Sequence, residues 1–163
     1  MKKHIVCILL LTLILLPVIG QSDVDFHNLV DYNAKLEDLC GFVASQPSEV
    51  VDSVVQQNRI FLVTGSISSR LVLDADQETY AGEFEIVSGQ WIGLEDVQMY
   101  RAVIQFHGPQ YSQMIPARRS RNANPNEVPL NSFVMVPVLL TGVREYEGVI
   151  IPVLEGIGMR IIE

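Results

Sequence analysis

Residues 79 to 87 read Thr-Tyr-Ala-Gly-Glu-Phe-Glu-Ile-Val, and residues 98 to 106 read Gln-Met-Tyr-Arg-Ala-Val-Ile-Gln-Phe. In the first stretch Tyr80, Gly82, Phe84 and Ile86 share one face, while Thr79, Ala81, Glu83 and Glu85 share the other. In the second, Tyr100, Ala102, Ile104 and Phe106 fall on one side. A period of two is that of a strand with one buried face. Joined through Trp91 to Gly93, the two stretches predict an antiparallel hairpin with Phe84 opposite Tyr100, Gly82 opposite Ala102 and Glu83 opposite Arg101. Apolar residues then meet apolar ones and an acid meets a base. Phe84 and Tyr100 must share a face, because a slip of one residue turns every side chain over.

The same texture extends outward from this hairpin. From Arg59 onward, β-branched and aromatic residues alternate with polar ones between Gly and Asp clusters, which marks strands and turns. Strands are expected near residues 59 to 73, 79 to 88, 96 to 107, 132 to 141 and 148 to 154, with a further one at 157 to 162. Residues 109 to 131 interrupt the pattern with Pro109, Pro116, Pro125 and Pro129, and predict a long polar loop of the kind that is usually functional or disordered. Pro137 and Pro152 cannot donate to a ladder and predict edges or bulges where they stand.

Upstream of Arg59 the period changes. Phe26, Leu29, Val30, Leu36, Leu39, Cys40 and Val43 recur three or four apart and predict a helix over 23 to 43, stopped at Gly41. Pro47 suits a first helical turn, and Val50, Val51, Val54 and Val55 form the stripe of a second helix ending near 57. Its valines have modest helix propensity, so packing must hold it.

The first 20 residues run from Lys2, Lys3 and His4 through an apolar stretch from Ile5 to Pro17, then to Val18, Ile19 and Gly20. This order is that of a secretory signal peptide with cleavage before Gln21, and it predicts a periplasmic or secreted protein. The 15 residues from Ile5 to Ile19 contain Pro17 and fall short of the roughly 20 needed to span hydrocarbon, so no membrane span is expected after cleavage. Cleavage leaves nine cations against 19 acids, a charge of −10. Such a balance works against non-specific attraction to nucleic acid or anionic lipid. Cys7 departs with the signal, so Cys40 stays alone as a buried thiol, an intermolecular bridge or a reactive group. The expected organisation is a signal peptide (1–20), a helical segment (21–58) and a β-barrel domain (59–163).

Five strands with a long connection after the third and a closing hairpin resemble the OB-fold, a five-stranded Greek-key barrel. The chain is similar to small exported bacterial OB domains in which a helix leads into a strand of the form apolar-x-Val-x-Gly-x-Ile. Here that strand is Phe61-Leu62-Val63-Thr64-Gly65-Ser66-Ile67, and Leu140-Thr141-Gly142-Val143 would open the turn between strands four and five. The resemblance covers residues 47 to 162. It implies a mainly β fold, an OB-like barrel preceded by one or two short helices. The chain departs from it where many OB-folds insert a helix between strands three and four, and it departs in charge. OB domains that bind nucleic acid offer a basic groove with aromatic platforms, whereas Glu83 and Glu85 lie on the outward side of strand two here.

Candidate sites are few. Trp91, between Gly89 and Gly93, is either a stacking platform at a hairpin tip or a cap on the core. Arg101 faces outward on strand three. Arg118, Arg119 and Arg121, with Tyr111 and Met114 in the same loop, could contact an anionic partner or simply keep the loop in water. Asp74, Asp76, Glu78 and Glu85 match the first, third, fifth and twelfth positions of a calcium loop, but Thr79 stands where glycine is needed, and a solvated acidic turn accounts for them. No metal site and no cofactor are expected. The sequence has no HExxH pair, phosphate-cradling glycine loop or nucleophile elbow. Only a Cys40 pair with His27 or His107 stays open as catalytic chemistry, and no enzyme is expected.

These residues predict an exported binding or assembly module for a protein, peptide or glycan of the cell envelope, with nucleic acid disfavoured and a homo-oligomer compatible. The alternatives are a structural subunit of a periplasmic complex with no ligand groove, and an undetected hydrolase.

Overall fold

The alternating stretches are strands in a computed structural model that describes residues 30–46, 48–116 and 124–162. In chain order the elements are β1 (Val30–Asp31), α1 (Leu36–Ser45), α2 (Ser48–Gln56), β2 (Ile60–Asp74), β3 (Ala81–Ile92), β4 (Asp96–His107), a 3-10 turn (Pro109–Tyr111), β5 (Phe133–Tyr146), β6 (Val149–Gly156) and β7 (Arg160–Ile161). Strand order is β1-β2-β3-β4-β6-β5-β7, and β2 also pairs with β5, so β2-β3-β4-β6-β5 close into a barrel. Within the barrel neighbours run antiparallel except β4 and β6, which are parallel through Val103↔Val153 and Ile104↔Leu154; β1 also lies parallel to β2. A meander of three strands followed by a hairpin whose second strand returns beside the third is the OB-fold barrel, here preceded by two helices.

Phe84 and Tyr100 do share a face, but the register differs from the expected one. Phe84 pairs with Ile104, Gly82 with Phe106, Glu83 with Gln105 and Val87 with Arg101. The hairpin runs out to Ile92↔Asp96 and turns at Gly93, which has a φ of +70 that glycine adopts without strain. The turn centre is therefore two residues later than Trp91 to Gly93 implied, and every pair moves by four. Periodicity sets parity, while turn chemistry sets register.

Inward residues build one core. Phe84, Ile86, Ala102, Ile104, Phe106, Val134, Val136, Val138 and Leu154 are fully buried, and Phe84 meets Phe106 edge to face at 5.9 Å. Gly65 of the Val-x-Gly-x-Ile strand points inward among them. A Cβ there would lie 2.7 Å from the Val87 carbonyl oxygen and 2.8 Å from Ile86. The glycine lets β2 and β3 approach where a side chain would separate them.

Bulges curve the barrel at Ile67/Ser69 and Val72/Asp74 on β2 and at Leu140/Gly142 on β5. Gly142 thus sits at a bulge, not at the expected turn. The turn is Glu147-Gly148, with φ values of +51 and +80, the two positive angles of a tight hairpin loop. Pro152 pairs with Val143 directly after this bulge, as its missing N–H requires. Pro137 lies between the stretch of β5 paired with β7 and the stretch paired with β6.

The 109–131 connection is not a simple polar loop. Ile115 and Val128 are buried in the core cluster. The Tyr80 hydroxyl donates to the Ile115 carbonyl, the Val128 N–H donates to Met114 O, and Arg70 pairs with Glu127 at 2.6 Å while donating to Val128 O. Both flanks of the proline-rich stretch therefore plug one end of the barrel.

The first helix begins later than its apolar period suggests. Val30 is a strand residue beside Ile60, and Asp31 Oδ1 accepts the Asn33 and Ala34 N–H groups, a local turn that competes with helix. From Leu36 the helix runs through Gly41 to Ser45, burying Leu36, Leu39 and Val43. Gly41 does not end it, because the packed face on either side carries the helix across. α1 lies against β4 and β6, and α2 against β5. Residues 23–29 and Pro47 lie outside the described residues, as does the expected signal peptide.

Candidate nucleic-acid interface

Glu83, Glu85, Val87, Gly89 and Trp91 alternate with the inward residues of β3 and so face outward. Val97, Met99, Arg101, Val103 and Gln105 do the same on β4. After the bulge at Leu140/Gly142 the parity of β5 reverses, which turns Arg144 and Tyr146 toward this outer side. Arg144 reaches Glu83 with two hydrogen bonds, Nη1 to Oε1 and Nη2 to Oε2, both 2.9 Å. Gln105 Nε2 adds a third donor to Glu83 Oε2 at 3.1 Å. Arg101 Nη1 lies 2.7 Å from Glu85 Oε1, and the Arg101 guanidinium sits 4.8 Å over the Tyr146 ring. Ser69 donates to Glu85 Oε2 at 2.9 Å.

Electrostatics follow from this ladder. Burial alone would raise the Glu83 carboxyl, but hydrogen bonds from Arg144 and Gln105 and the Arg144 charge outweigh it and hold the group below the usual carboxylate range. Hydrogen bonding to Glu83 keeps Arg144 firmly charged. The pair is an outward feature, yet Glu83 is only 7% exposed because Arg144 and Gln105 lie across it.

The hairpin beyond the barrel is apolar and open. β2 covers β3 only as far as Val87, and β6 covers β4 only from Val103. Trp91 is 70% exposed and Leu94 97% exposed, with Ile92, Val97 and Met99 also in solvent. Trp91 therefore does not cap the core. A cleft of about 360 Å³ runs beside this surface, between Cys40, Gly41 and Ala44 of α1, Met99 to Arg101 of β4, and Tyr146 to Ile151 of the last hairpin.

Of the residues singled out from sequence, Trp91 and Arg101 come together with Glu83 and Glu85 on one face. Tyr111 does not join them. Its ring packs 4.9 Å from Phe106 and its hydroxyl donates to Ile157 O at 3.0 Å, so it belongs to the barrel plug. Arg118, Arg119 and Arg121 lie outside the described residues.

Asp74, Asp76 and Glu78 form a turn that uses its own oxygens: Asp74 accepts the Asp76 N–H and the Thr79 hydroxyl, and Asp76 accepts the Glu78 N–H. Glu85 is bound to Arg101 and Ser69 instead. No group of three potential metal ligands occurs among the described residues.

Cys40 is half-buried and its thiol donates to Arg101 O at 3.3 Å. Burial pushes its pKa up to about 11, the opposite of an activated nucleophile. His107 stands six residues along β4 from Arg101, about 20 Å at the rise of a strand, so a Cys40–His107 pair does not form. His27 lies outside the described residues. Arg144 and Tyr146 carry no sign in the sequence, because they fall beyond the strand end expected at 141 and the bulge that reorients them leaves no periodicity to follow.

No family model and no curated protein matches the chain. Among solved structures it is similar to a deletion mutant of the single-stranded DNA binding protein from Thermus aquaticus, at 10% identity and a TM-score of 0.43 over 64% of this chain and 49% of that one. It is also similar to the small single-stranded DNA-binding protein from Streptomyces coelicolor, at 9% identity and a TM-score of 0.39 over 63% of this chain and 91% of that one. The chain thus spans about half the length of the Thermus aquaticus protein.

Both proteins are described as binding single-stranded DNA, whereas the amino-acid sequence led to the expectation of a protein, peptide or glycan partner with nucleic acid disfavoured; that expectation of the partner is corrected here. The charge argument behind that expectation averaged over the whole surface, whereas a binding face is local.

Proposed function

We propose that this protein is an OB-fold module of the small exported bacterial type that binds single-stranded nucleic acid on the outward face of β3 and β4, acting by binding and not by catalysis. The observation that carries the reading is Arg101, stacked 4.8 Å over Tyr146 on the same outward face as the solvent-exposed Trp91. OB barrels take oligonucleotides on their second and third strands and on the loop joining the last two. Those elements here are β3, β4 and the β5–β6 hairpin, which supply all three side chains.

A base can stack on the Trp91 indole and another against the Tyr146 ring, beside Arg101 and Arg144, which pair with Glu85 and Glu83 in the free protein. Stacking of this kind is tolerant of sequence, because every base has a π-face. The acidic remainder of the surface makes binding weak, and with two arginines on the face its salt dependence is shallow. Residues 1–20 support the exported location: their basic start, apolar run and small residues at 18 and 20 have the order of a cleaved signal. The strand would then be met outside the cytoplasm.

Fluorescence anisotropy with an end-labelled oligothymidylate of about 16 nucleotides, the upper site size of one OB domain, tests the reading. Saturable binding that weakens as salt rises is expected. No change in anisotropy up to about 100 µM protein, the weak end of non-specific nucleic-acid binding, sinks it.

A further inference from the structure

Glu83 and Glu85 stand two residues apart on the same face of β3, about 6.6 Å at the rise of a strand. Each holds one of the two guanidinium groups of the outward face: Arg144 is bound fork to fork by Glu83, and Arg101 lies 2.7 Å from Glu85. A planar guanidinium recognises carboxylate and phosphate with the same two-pronged geometry, so the two anions compete for it. Extended strand spacing also brings two carboxylates to about the separation of neighbouring backbone charges on a stretched single strand.

We propose that Glu83 and Glu85 are built-in competitors for successive phosphates, and that nucleic acid binds by displacing them from Arg144 and Arg101. This inference rests on the single-strand-binding reading above. It explains how an OB face can carry aromatic platforms and arginines on a protein of net charge −8 over the full sequence. The cations are present but spoken for, and the free protein is held in a weak-binding state.

The two latches differ in strength. Glu83 accepts three hydrogen bonds and is nearly buried, whereas Glu85 Oε1 is buried without an aligned donor even though Arg101 is close. The Arg101–Glu85 pair opens first, beside the Tyr146 ring on which a base would stack, and Arg144 follows.

The test compares the wild type with Glu85→Gln, Glu83→Gln and the double variant, using labelled oligothymidylate and inorganic tripolyphosphate as separate probes. Glutamine keeps the shape and one accepting oxygen, and Glu85→Gln spares the better-satisfied pair, so at least one variant keeps its fold by circular dichroism. Displacement predicts at least tenfold tighter oligothymidylate binding by the double variant. It also predicts that adding Arg101→Gln and Arg144→Gln to the double variant cancels the gain, because the freed guanidinium groups are what the phosphates then meet. A gain that survives the loss of both arginines overturns the competition. A gain for tripolyphosphate without one for oligothymidylate upholds the competition and overturns the nucleic-acid reading. No gain for either probe in any folded variant overturns the competition, whatever the affinity of the wild type.

Discussion

Glu83 on β3 and Arg144 on β5, 61 residues apart in the chain, meet in a two-pronged ion pair with both N–O distances at 2.9 Å. The contact clasps the last hairpin to the face of the first. It is possible only because the bulge at Leu140/Gly142 reverses the parity of β5, so that residues beyond it leave the core side and turn outward. The same reversal brings Tyr146 under Arg101. One irregular ladder position therefore assembles the outer site.

Arg144→Ala should destabilise the fold by on the order of 2 kcal/mol, because it strands a largely buried carboxylate that has lost two of its three donors. Urea denaturation followed by circular dichroism measures this. Glu83→Gln with Arg144→Gln together should cost less than Arg144→Ala alone, since no charge is then left unpaired, and a larger cost for the double change would refute the account.

Acidification should weaken the fold through Glu83. Its folded carboxyl lies below its unfolded value, so the stabilisation is fully present above the unfolded pKa of about 4.3 and is lost as pH falls through the folded pKa. Melting temperature between pH 7 and pH 3 should fall more for the wild type than for Glu83→Gln. Parallel curves would show that other carboxylates dominate.

Trp91 is the sole tryptophan of the sequence, which makes it a reporter of its own surroundings. Its emission should be that of a hydrated indole and should be quenched when an oligonucleotide stacks on it. Trp91→Ala should leave stability within about 0.5 kcal/mol, as for surface positions generally, and should weaken oligothymidylate binding about tenfold, within the range for one stacked base. An unchanged affinity would place the strand elsewhere.

Gly65→Ala should destabilise by about 1 to 3 kcal/mol, the range for overpacking a core, because the added methyl meets the Val87 carbonyl and Ile86. Gly41→Ala should instead be neutral or stabilising. Gly41 is inside α1 with nothing near its missing side chain, and alanine is the better helix former. Thermal melts should show a lower midpoint for Gly65→Ala and an equal or higher one for Gly41→Ala.

Cys40 should alkylate slowly. With its pKa pushed up to about 11 by burial, little thiolate exists at pH 8, and the reaction with iodoacetamide should accelerate sharply on unfolding in urea. Rapid labelling of the folded protein would contradict the burial of the thiol.

The sequence by itself determined the fold class. Alternation at 79 to 87 and 98 to 106 marked the inward faces of β3 and β4, and Val-x-Gly-x-Ile marked β2, because burial of one side of a strand leaves a period of two that any single segment displays. It also showed a helical stretch before residue 59 and a charge balance. Tertiary structure alone decided the register, the plugging of the barrel by Ile115 and Val128, and the meeting of Glu83 with Arg144 and of Arg101 with Tyr146. Each depends on where a turn or a bulge places a residue relative to one far away in the chain, and a local period carries no such information. The acidic net charge likewise described a sum over the surface, whereas the pairing of individual arginines with individual glutamates on one face belongs to the folded geometry.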